Sequence, residues 1–345
     1  MDTCIESCLN AIQFQNSFIH ARLEVIPLFS SQDHSPEYLT LGQAMLHNRL
    51  LVTEVSKTGA VPELKVVNKG KIPILLLDGE ELAGAKQNRV LNTTILVPGE
   101  SELVIPVSCT EHGRWTYSSP VFHDSRVMMD YKIRARKMAS VSMSRKHRAC
   151  HASDQMGIWE DIEQMAKKAK VSSPTGAMKD VFESSNHAMD EYLAAFPLQP
   201  GQQGVLVYLD GRPAGMEFLS RPEAYARTHD KLMRSYVMEA LIDDEIQQLL
   251  KDKVQLPKEF LQRVASCTSD AYPAVGLGTE HRFGGTDLVG SALLHEGVVV
   301  HLACFNTECG ADPDVVGRMA SFRARRSSHM AGRERNPNKE YTDVW

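Results

Sequence analysis

Short β-branched segments separated by turn-forming residues are the feature that most constrains the fold of this chain. Val, Ile and Thr favour strands, whereas Gly, Pro and Asn favour the turns between them. Between residues 13 and 119 these segments follow one another closely: LLVTEVS, ELKVVNKG, IPILLLDG, VLNTTILVPG and ELVIPVSC. This spacing predicts mostly antiparallel β structure. We also expect FIHARLEVIPLF to be one strand that ends at Pro27, and YLTLGQAMLHNRL to be a short helix.

The second half of the chain alternates helical and strand patterns. Two segments predict β-hairpins, GVLVYLDGRPAGMEFL with a turn at Asp210-Gly211 and GSALLHEGVVVHLACF with a turn at Glu296-Gly297. GLGTEHRFGG is interpreted as a loop. Helical periodicity is found in GIWEDIEQMAKKAK, SSPTGAMKDVFESSNHAMDEYLAAF and PEAYARTHDKLMRSYVMEALIDDEIQQLL. The predicted fold class is therefore α+β, with a mostly antiparallel β half followed by an α+β half that contains two hairpins.

Composition shifts suggest how the chain is divided. We predict a mostly-β domain at 13–119, a basic connector at 120–153, an α+β domain at 154–305 and a disordered Arg/Ser-rich tail at 306–345. The basic connector has two interpretations, a solvated helix or an electropositive wall for an anionic ligand. The tail offers a generic route to nucleic acid, which is a weaker hypothesis.

Composition excludes several classes of protein. The net charge of -5 gives no overall basic excess for nucleic acid binding. The chain has neither a signal-peptide pattern nor an apolar run of about 20 residues, so we expect a cytoplasmic protein without a membrane partner. The seven cysteines do not form paired CxxC motifs and the 13 histidines do not form an HExxH motif, so no metal site is predicted. The sequence does not identify a cofactor.

A dense polar run, DGEELAGAKQNR, lies between the apolar stretches ILLL and TTILV. If VLNTTILV and SELVIPVSC form a hairpin at Pro98-Gly99, apolar alternation sets the register as Ile95–Leu103, Thr93–Ile105 and Leu91–Val107. The same register places Arg89 opposite Cys109, Gln87 near Glu111 and Lys86 near His112. The polar run and SCTEHGRW should therefore meet at one end of the hairpin, where buried polar groups must pair or bind something.

Three interpretations of this cluster remain open. The first is a structural network, in which Lys86 and Arg89 pair with glutamates across the hairpin. The second is a ligand-binding site with Lys86, Gln87, Asn88, Arg89, Cys109, His112 and Arg114, since guanidinium groups recognise phosphate and amides recognise a sugar or a base. The third is catalysis by Glu80, Glu81 or Glu111 as acid and base, with Cys109 near His112 as a weaker nucleophile.

Several segments resemble one known family. LLLDGEELAGAKQNRVLNTTILVPG and VIPVSCTEHGRW are similar to the ARG and rhodanese-phosphatase-superfamily-associated protein domain family, in which ARG abbreviates ADP-ribosylglycohydrolase. SDQMGIWEDIEQMAKKAKVSSPTGAMKDVFE and KLMRSYVMEAL extend the resemblance over roughly residues 22–305. The resemblance implies an ADP-ribose-like or other nucleotide-derived ligand and assigns no residue a role.

The leading hypothesis is a protein that binds a nucleotide-derived anion such as ADP-ribose at the polar end of the hairpin. If the protein is an enzyme, we expect a hydrolase in which Glu81 or Glu111 is the general base. The alternative is a non-catalytic protein-interaction module whose polar cluster is structural.

Overall fold

The computed structural model describes residues 1–31, 35–56, 62–242 and 255–307. None of the helices in these ranges is both long enough and apolar enough to cross a bilayer. The helices are α1 (Thr3–Ala11), α2 (Leu41–Leu46), α3 (Tyr131–Arg148), α4 (Gln155–Lys168), α5 (Met178–Ser184), α6 (Asn186–Ala195), α7 (Pro222–Ile242) and α8 (Pro257–Ala265).

Short strands dominate the first 128 residues, as the β-branched pattern predicted. They are β1 (Ile12–Phe14), β2 (Phe18–His20), β3 (Leu23–Ser30), β4 (Leu39–Thr40), β5 (Leu50–Glu54), β6 (Glu63–Asn68), β7 (Ile74–Leu76), β8 (Glu80–Gly84), β9 (Arg89–Leu91), β10 (Ile95–Val97), β11 (Ser101–Cys109) and β12 (Phe122–Met128). Later strands are β13 (Gly204–Leu209), β14 (Arg212–Leu219), β15 (Thr268–Pro273), β16 (Thr279–Gly284), β17 (Leu288–His295) and β18 (Val298–Asn306). The fold is α+β, as predicted.

Three sheets organise these strands. The largest has nine strands in the order β1-β3-β13-β14-β18-β17-β16-β15, with β2 paired to β3. A six-stranded sheet has the order β12-β8-β9-β11-β6-β5, and a three-stranded sheet has the order β10-β7-β4. Because β3 pairs with β13, both halves of the chain contribute to the nine-stranded sheet.

Both predicted hairpins of the second half are confirmed. In the first, Leu209 pairs with Arg212 across Asp210-Gly211, and in the second His295 pairs with Val298 across Glu296-Gly297. All four turn residues have positive φ. Such values match the type I′ turn that suits the twist of two-residue hairpins, and glycine adopts them without strain.

The predicted hairpin at Pro98-Gly99 is only half correct. Leu91 pairs with Val107 as expected, but Ile95 pairs with Leu76 of β7 rather than with Leu103. The chain leaves the ladder at Asn92-Thr93-Thr94, where all three side chains are buried and hydrogen-bonded to other parts of the chain. Their partners are the His151 carbonyl, the Glu280 carboxylate and the His301 ring.

Three other local predictions were wrong. FIHARLEVIPLF forms β2 and β3 around a positive-φ turn at Ala21, and β3 continues through Pro27, whose carbonyl still accepts a hydrogen bond. GLGTEHRFGG contains strand β16, which is held between β15 and β17. The single helix expected after SSPTGA is two helices, which are separated at Ser185, and a bridge between Ala177 and Glu111 precedes the first of them.

Most basic side chains of the predicted connector are paired within the fold, although Arg126 and Arg148 are exposed. Strand β12 and helix α3 occupy this connector, and Arg134 and Lys137 are fully buried in ion pairs with Glu217 and Asp78. Other basic side chains of α3 also face carboxylates. These pairs are Lys132–Glu239, Arg136–Asp161, Arg145–Glu280 and Lys146–Asp270. The positive charge is therefore largely neutralised within the protein. Except for residues 306 and 307, the predicted tail lies outside the described residues.

Candidate active site

The two segments predicted to meet are in contact. Arg89 pairs with Cys109 across strands β9 and β11, and the N–H of Thr110 donates to the Asn88 carbonyl at 3.1 Å. The N–H of Asn88 in turn donates to Glu111 Oε2 at 3.0 Å. The end of the six-stranded sheet at which these two segments meet is buried, and it does not form an open recess.

Glu111 is held by several donors. Arg114 contacts both of its carboxylate oxygens, through Nε at 2.9 Å and Nη2 at 2.6 Å, and the Thr175 hydroxyl donates at 2.8 Å. Burial alone would raise the pKa of Glu111, but Arg114, Thr175 and the N–H of Asn88 lower it below its usual value. A carboxylate stabilised in its charged form is a poor general base, so these contacts favour a structural role for Glu111.

Replacing Arg114 with alanine tests that structural role. The variant leaves the Glu111 carboxylate, which is 5% exposed, without its charged partner. We expect the free energy of unfolding to fall by about 2 kcal/mol at neutral pH, the usual cost of losing hydrogen bonds to a buried charge. Urea unfolding measures the change. Lys65→Ala is a control, because its pair with Glu102 lies in solvent, and an equal loss in both variants would contradict the assignment.

Arg89 and Cys109 lie in a closed polar pocket. Arg89 Nη1 donates to Gln87 Oε1 at 3.1 Å, and the Cys109 thiol contacts the same oxygen at 3.2 Å and the Glu111 carbonyl at 3.0 Å. Within the described part of the chain, Nε and Nη2 of Arg89 and the Glu54 carboxylate have no hydrogen-bond partner. Burial lowers the pKa of Arg89 and raises that of Cys109. The thiolate form is therefore disfavoured.

Lys86 and His112 point to different neighbours. Lys86 Nζ lies 5.1 Å and 5.3 Å from the ring centroids of Trp115 and Tyr117, as in cation–π contacts. The His112 ring lies 4.4 Å from that of Trp159. His112 therefore packs against α4, and the described residues show no hydrogen bond between its ring and the Cys109 thiol, so a Cys–His nucleophile gains no support.

Glu80 and Glu81 project to opposite faces of β8, as neighbours on a strand must. Glu80 accepts a hydrogen bond from the N–H of Leu77 at 2.8 Å. It also forms an ion pair with Lys231 of α7 at 2.9 Å. Lys231 also contacts Asp124 at 2.8 Å, so one ammonium group bridges two carboxylates. Burial raises the pKa of Glu80; Lys231 opposes this shift and Asp124 adds to it.

Glu81 is the most perturbed carboxyl group among those predicted. Its side chain is fully buried and accepts a hydrogen bond from the Thr110 hydroxyl at 2.6 Å, while its second oxygen, Oε2, is buried without a hydrogen-bond partner. Burial raises the pKa of Glu81 to about 7, and the nearby hydroxyls of Thr110 and Ser125 moderate that rise. A carboxyl group that titrates near neutral pH can take up or release a proton under physiological conditions.

A cleft of about 980 Å³ opens beside Glu80. It lies between α2, β12, the α5–α6 region and α7, and Asp124, Ser125 and Lys231 are among its walls. Strand β12 has a register shift between Asp124 and Met128, and Arg126 within it has a φ of 62°. Bulges and strained non-glycine residues are concentrated at functional sites, because they redirect side chains away from the regular ladder.

Arginine side chains surround the mouth of this cleft. Arg126 and Arg227 are exposed, and no carboxylate partner is recorded for either guanidinium group in the described residues. Arg234 is paired with Asp190 and also contacts Asn186. The cleft therefore has carboxylates and an ammonium group at its base, and its exposed walls carry these guanidinium groups together with the carboxylates of Glu183, Asp190 and Asp230.

Sequence reasoning missed Asp124, Ser125 and Lys231. No local pattern marks Asp124 or Ser125, because the bulge that turns them towards the cleft depends on pairing with β8. Lys231 had a weak signal, since it is a charged residue next to the apolar pair Leu232-Met233 in the amphipathic motif KLMRSYVMEAL. A charge placed on the buried stripe of an amphipathic helix predicts a buried partner, although not which one.

Fold and cleft together define an α+β protein in which a polar cleft lies beside the six-stranded sheet. Comparison with protein-family models identifies the family: the model of the ARG and Rhodanese-Phosphatase-superfamily-associated Protein domain, ARPP-1, matches residues 11–305. The chain belongs to this family. A search of curated proteins and a search of solved structures each found no match.

Proposed function

We propose that this ARPP-1 protein binds a nucleotide-derived anion, such as ADP-ribose, in the cleft beside Glu80. The observation that carries the proposal is the arrangement of charge in a cleft of about 980 Å³, with guanidinium groups of Arg126 and Arg227 at the rim and carboxylates at the base. Pockets for small ligands have volumes of about 300–1,000 Å³.

The rim and the base of the cleft suit different parts of such a ligand, its phosphates and its sugar. Guanidinium groups bind phosphate oxygens through planar, bidentate hydrogen bonds. Carboxylates accept hydrogen bonds from sugar hydroxyls, as acidic residues do for ribose in dinucleotide sites. Asp124 and Glu80 would therefore hold a sugar near Lys231, and Arg126 and Arg227 would hold the phosphates.

Hydrolysis is the reaction that this cleft supports best. A general base acting at physiological pH needs a pKa near 7, which is where burial places Glu81. Glu81 does not itself line the cleft, but the Ser125 hydroxyl, which does, interacts with its carboxyl group, so Ser125 would connect Glu81 to the bound ligand. Glu80 remains bound to Lys231 and would position the sugar.

The binding step is tested by thermal unfolding with ADP-ribose, NAD and simple nucleotides. A ligand at about one hundred times its dissociation constant should add ~2.7 kcal/mol to the free energy of unfolding. We expect Arg126→Ala and Arg227→Ala to lose most of that increment while remaining folded, because both side chains are exposed. Arg148→Ala, an exposed arginine at the end of α3 and outside the cleft, is the matched control.

Two results would count against this proposal. If none of the ligands shifts the unfolding transition, the interaction-module alternative is favoured, in which the polar cluster only stabilises the fold. If Arg148→Ala weakens binding as much as Arg126→Ala, general electrostatic attraction between the protein and the ligand explains the binding. The hydrolytic step is tested separately by analysing products after incubation, and Glu81→Gln should retain binding but lose turnover.

A further inference from the structure

The six-stranded sheet curls on itself and encloses an interior face. Its two edge strands, β5 and β12, lie close to each other. Leu50 and Val52 of β5 and Leu91 of β9 belong to one apolar cluster on the interior face. Because side chains at every second position of a strand share a face, Glu54 continues the row of Leu50 and Val52, and Arg89 continues that of Leu91. Both charged side chains therefore point into the interior of the sheet.

Arg89 and Glu54 are buried charges whose polar atoms lack partners. Arg89 is 0% exposed and Glu54 is 8% exposed. Within the described residues, Nε and Nη2 of Arg89 and both carboxylate oxygens of Glu54 have no hydrogen-bond partner. Burial lowers the pKa of Arg89, and Cys109 and Glu54 oppose that shift, so the two charges lie within electrostatic range of each other although no hydrogen bond joins them. Buried charges in this condition are costly, and they indicate a site that binds a small molecule.

The unpartnered atoms of Arg89 form the edge that suits a carboxylate. Nε and Nη2 donate in the same direction from the planar guanidinium group, so together they can hold both oxygens of one carboxylate. Nη1, on the other side of the group, already donates to Gln87 Oε1 at 3.1 Å. That contact fixes the orientation of the guanidinium group, and the edge is therefore preorganised for a ligand.

Trp115 lies between this site and solvent. Its ring centroid is 5.9 Å from Cζ of Arg89, and Trp115 is 46% exposed whereas Arg89 is fully buried. Trp115 belongs to an irregular segment between β11 and β12. Nη1 of Arg114 and the N–H of Ser118 attach this segment to the Ala85 carbonyl, at 2.6 Å and 2.9 Å. Rotation of the Trp115 side chain between the two attachments would open the site without moving the strands.

We propose that this site binds the head group of an α-amino acid or a similar small zwitterion, whose side chain contacts Trp115. The carboxylate would accept hydrogen bonds from Nε and Nη2 of Arg89, and the ammonium group would donate to Glu54. A ligand with both charges compensates both buried groups. A phosphate or a simple carboxylate would compensate Arg89 and leave Glu54 unpaired, and a simple amine would do the reverse. Neither residue lines the cleft beside Glu80, so this site does not depend on the function proposed there.

Two matched sets of probes test this pairing of charges. Phenylalanine is compared with 3-phenylpropanoate, which lacks the ammonium group, and with 2-phenylethylammonium, which lacks the carboxylate. Leucine, 4-methylpentanoate and 3-methylbutylammonium form the aliphatic set. Each probe is titrated into the full chain at neutral pH and followed by calorimetry.

We expect the zwitterion of at least one set to bind about tenfold more tightly than either of its singly charged analogues. The reason is that each analogue loses the hydrogen bonds of one charged group and leaves a buried charge unpaired. Absence of binding in both sets, or equal affinities for the zwitterion and the carboxylate, would overturn the proposal.

Substitutions locate the site. Glu54→Gln removes the partner of the ammonium group and keeps the size of the side chain, so this variant should bind the carboxylate analogue at least as tightly as the zwitterion. Glu102→Gln, at an exposed position on β11, should keep the native preference.

A second pair of variants tests the cover of the site. Trp115→Ala should weaken binding of the zwitterion severalfold, whereas Val121→Ala, at an exposed position on the same segment, should not. Urea unfolding shows whether each variant is folded, and the probe sets and Trp115→Ala decide the question even if Glu54→Gln does not fold. Unchanged affinity in Trp115→Ala together with an unchanged preference in Glu54→Gln would show that the probes bind elsewhere, and the proposal would fail.

Discussion

Replacing Arg134 with methionine is expected to lower the free energy of unfolding by about 3–5 kcal/mol, because the variant leaves a buried carboxylate without its cation. Arg134 and Glu217 are both 0% exposed, and Arg134 Nη1 lies 2.5 Å from Glu217 Oε1. His301 remains 3.1 Å from the other carboxylate oxygen and supplies part of the compensation. Urea unfolding at pH 7 measures the loss.

Helix α3 offers a matched control for this substitution. Arg136 lies two residues further along and also pairs with an aspartate, Asp161, but its own side chain is 72% exposed. Arg136→Met should lose less than about 1 kcal/mol, as exposed ion pairs usually do. Similar losses at positions 134 and 136 would show that burial of the charge does not control the effect.

A double variant separates the ion pair from packing. Arg134→Met/Glu217→Gln removes both charges, so the unpaired carboxylate is no longer present. It should therefore be more stable than Arg134→Met alone. The alternative result is that the double variant loses as much stability as the two single variants added together. In that case the effect of Arg134 arises from its packing, for example against the ring of Phe305 at 4.9 Å.

The second large effect is expected from Glu81→Gln, and it depends on pH. Because the pKa of Glu81 is raised from 4.5 to about 7, the folded protein binds a proton that the unfolded chain releases between those values. This stabilisation is fully present below pH 4.5 and is lost as the pH rises through 7. From pH 5 to pH 8, the stability of the native protein should fall by about 2.5 kcal/mol relative to Glu81→Gln.

Comparing the native protein with Glu81→Gln separates the contribution of Glu81 to the pH dependence of stability from the contributions of other groups. Asp130 is also buried, with its pKa raised to about 7, so the pH dependence of the native protein contains both contributions. The difference between the native protein and Glu81→Gln removes the part that belongs to Asp130. Glutamine keeps an oxygen that can accept from the Thr110 hydroxyl. Glu102→Gln, on the exposed part of β11, is the control substitution. A curve for Glu81→Gln that runs parallel to the curve of the native protein would contradict the assignment.

These two predictions concern different uses of buried charge. Arg134 and Glu217 are compensated by each other and connect α3 to the nine-stranded sheet. Glu81 has a neutral hydrogen-bond partner and no ion pair among the described residues, and burial raises its pKa to about 7. A compensated pair stabilises one arrangement of elements, whereas an uncompensated carboxyl group near a cleft is available for proton transfer. This contrast is why catalysis is proposed for Glu81 and a structural role for Arg134.

Local patterns predicted the secondary structure well where turns and apolar alternation agree. The hairpins at Asp210-Gly211 and Glu296-Gly297 follow from two-residue turns that need positive φ. The Arg89–Cys109 register followed from matching apolar faces. The same reasoning failed at Ile95, because buried side chains of Asn92, Thr93 and Thr94 bond to distant elements and divert the chain.

The candidate site was predictable in part. The sequence indicated that the polar run and SCTEHGRW would be adjacent, and they are. It did not reveal that Arg114 holds Glu111, that Lys231 bridges Glu80 and Asp124, or that the cleft lies beside Glu80. Alternation along β8 did predict that Glu80 and Glu81 point apart, which separates the positioning carboxylate from the proposed base.

The sequence by itself determined the α+β class, most strands, both hairpin turns and the clustering of polar residues near Arg89. These features depend on interactions between residues close in the chain, or on a face repeated every second residue. Only the tertiary structure decided which charges are compensated and which face a cavity. The physical reason is that the free energy of a buried charge depends on partners brought together from distant segments, as Lys231 is brought to Glu80, and local sequence patterns do not encode those partners.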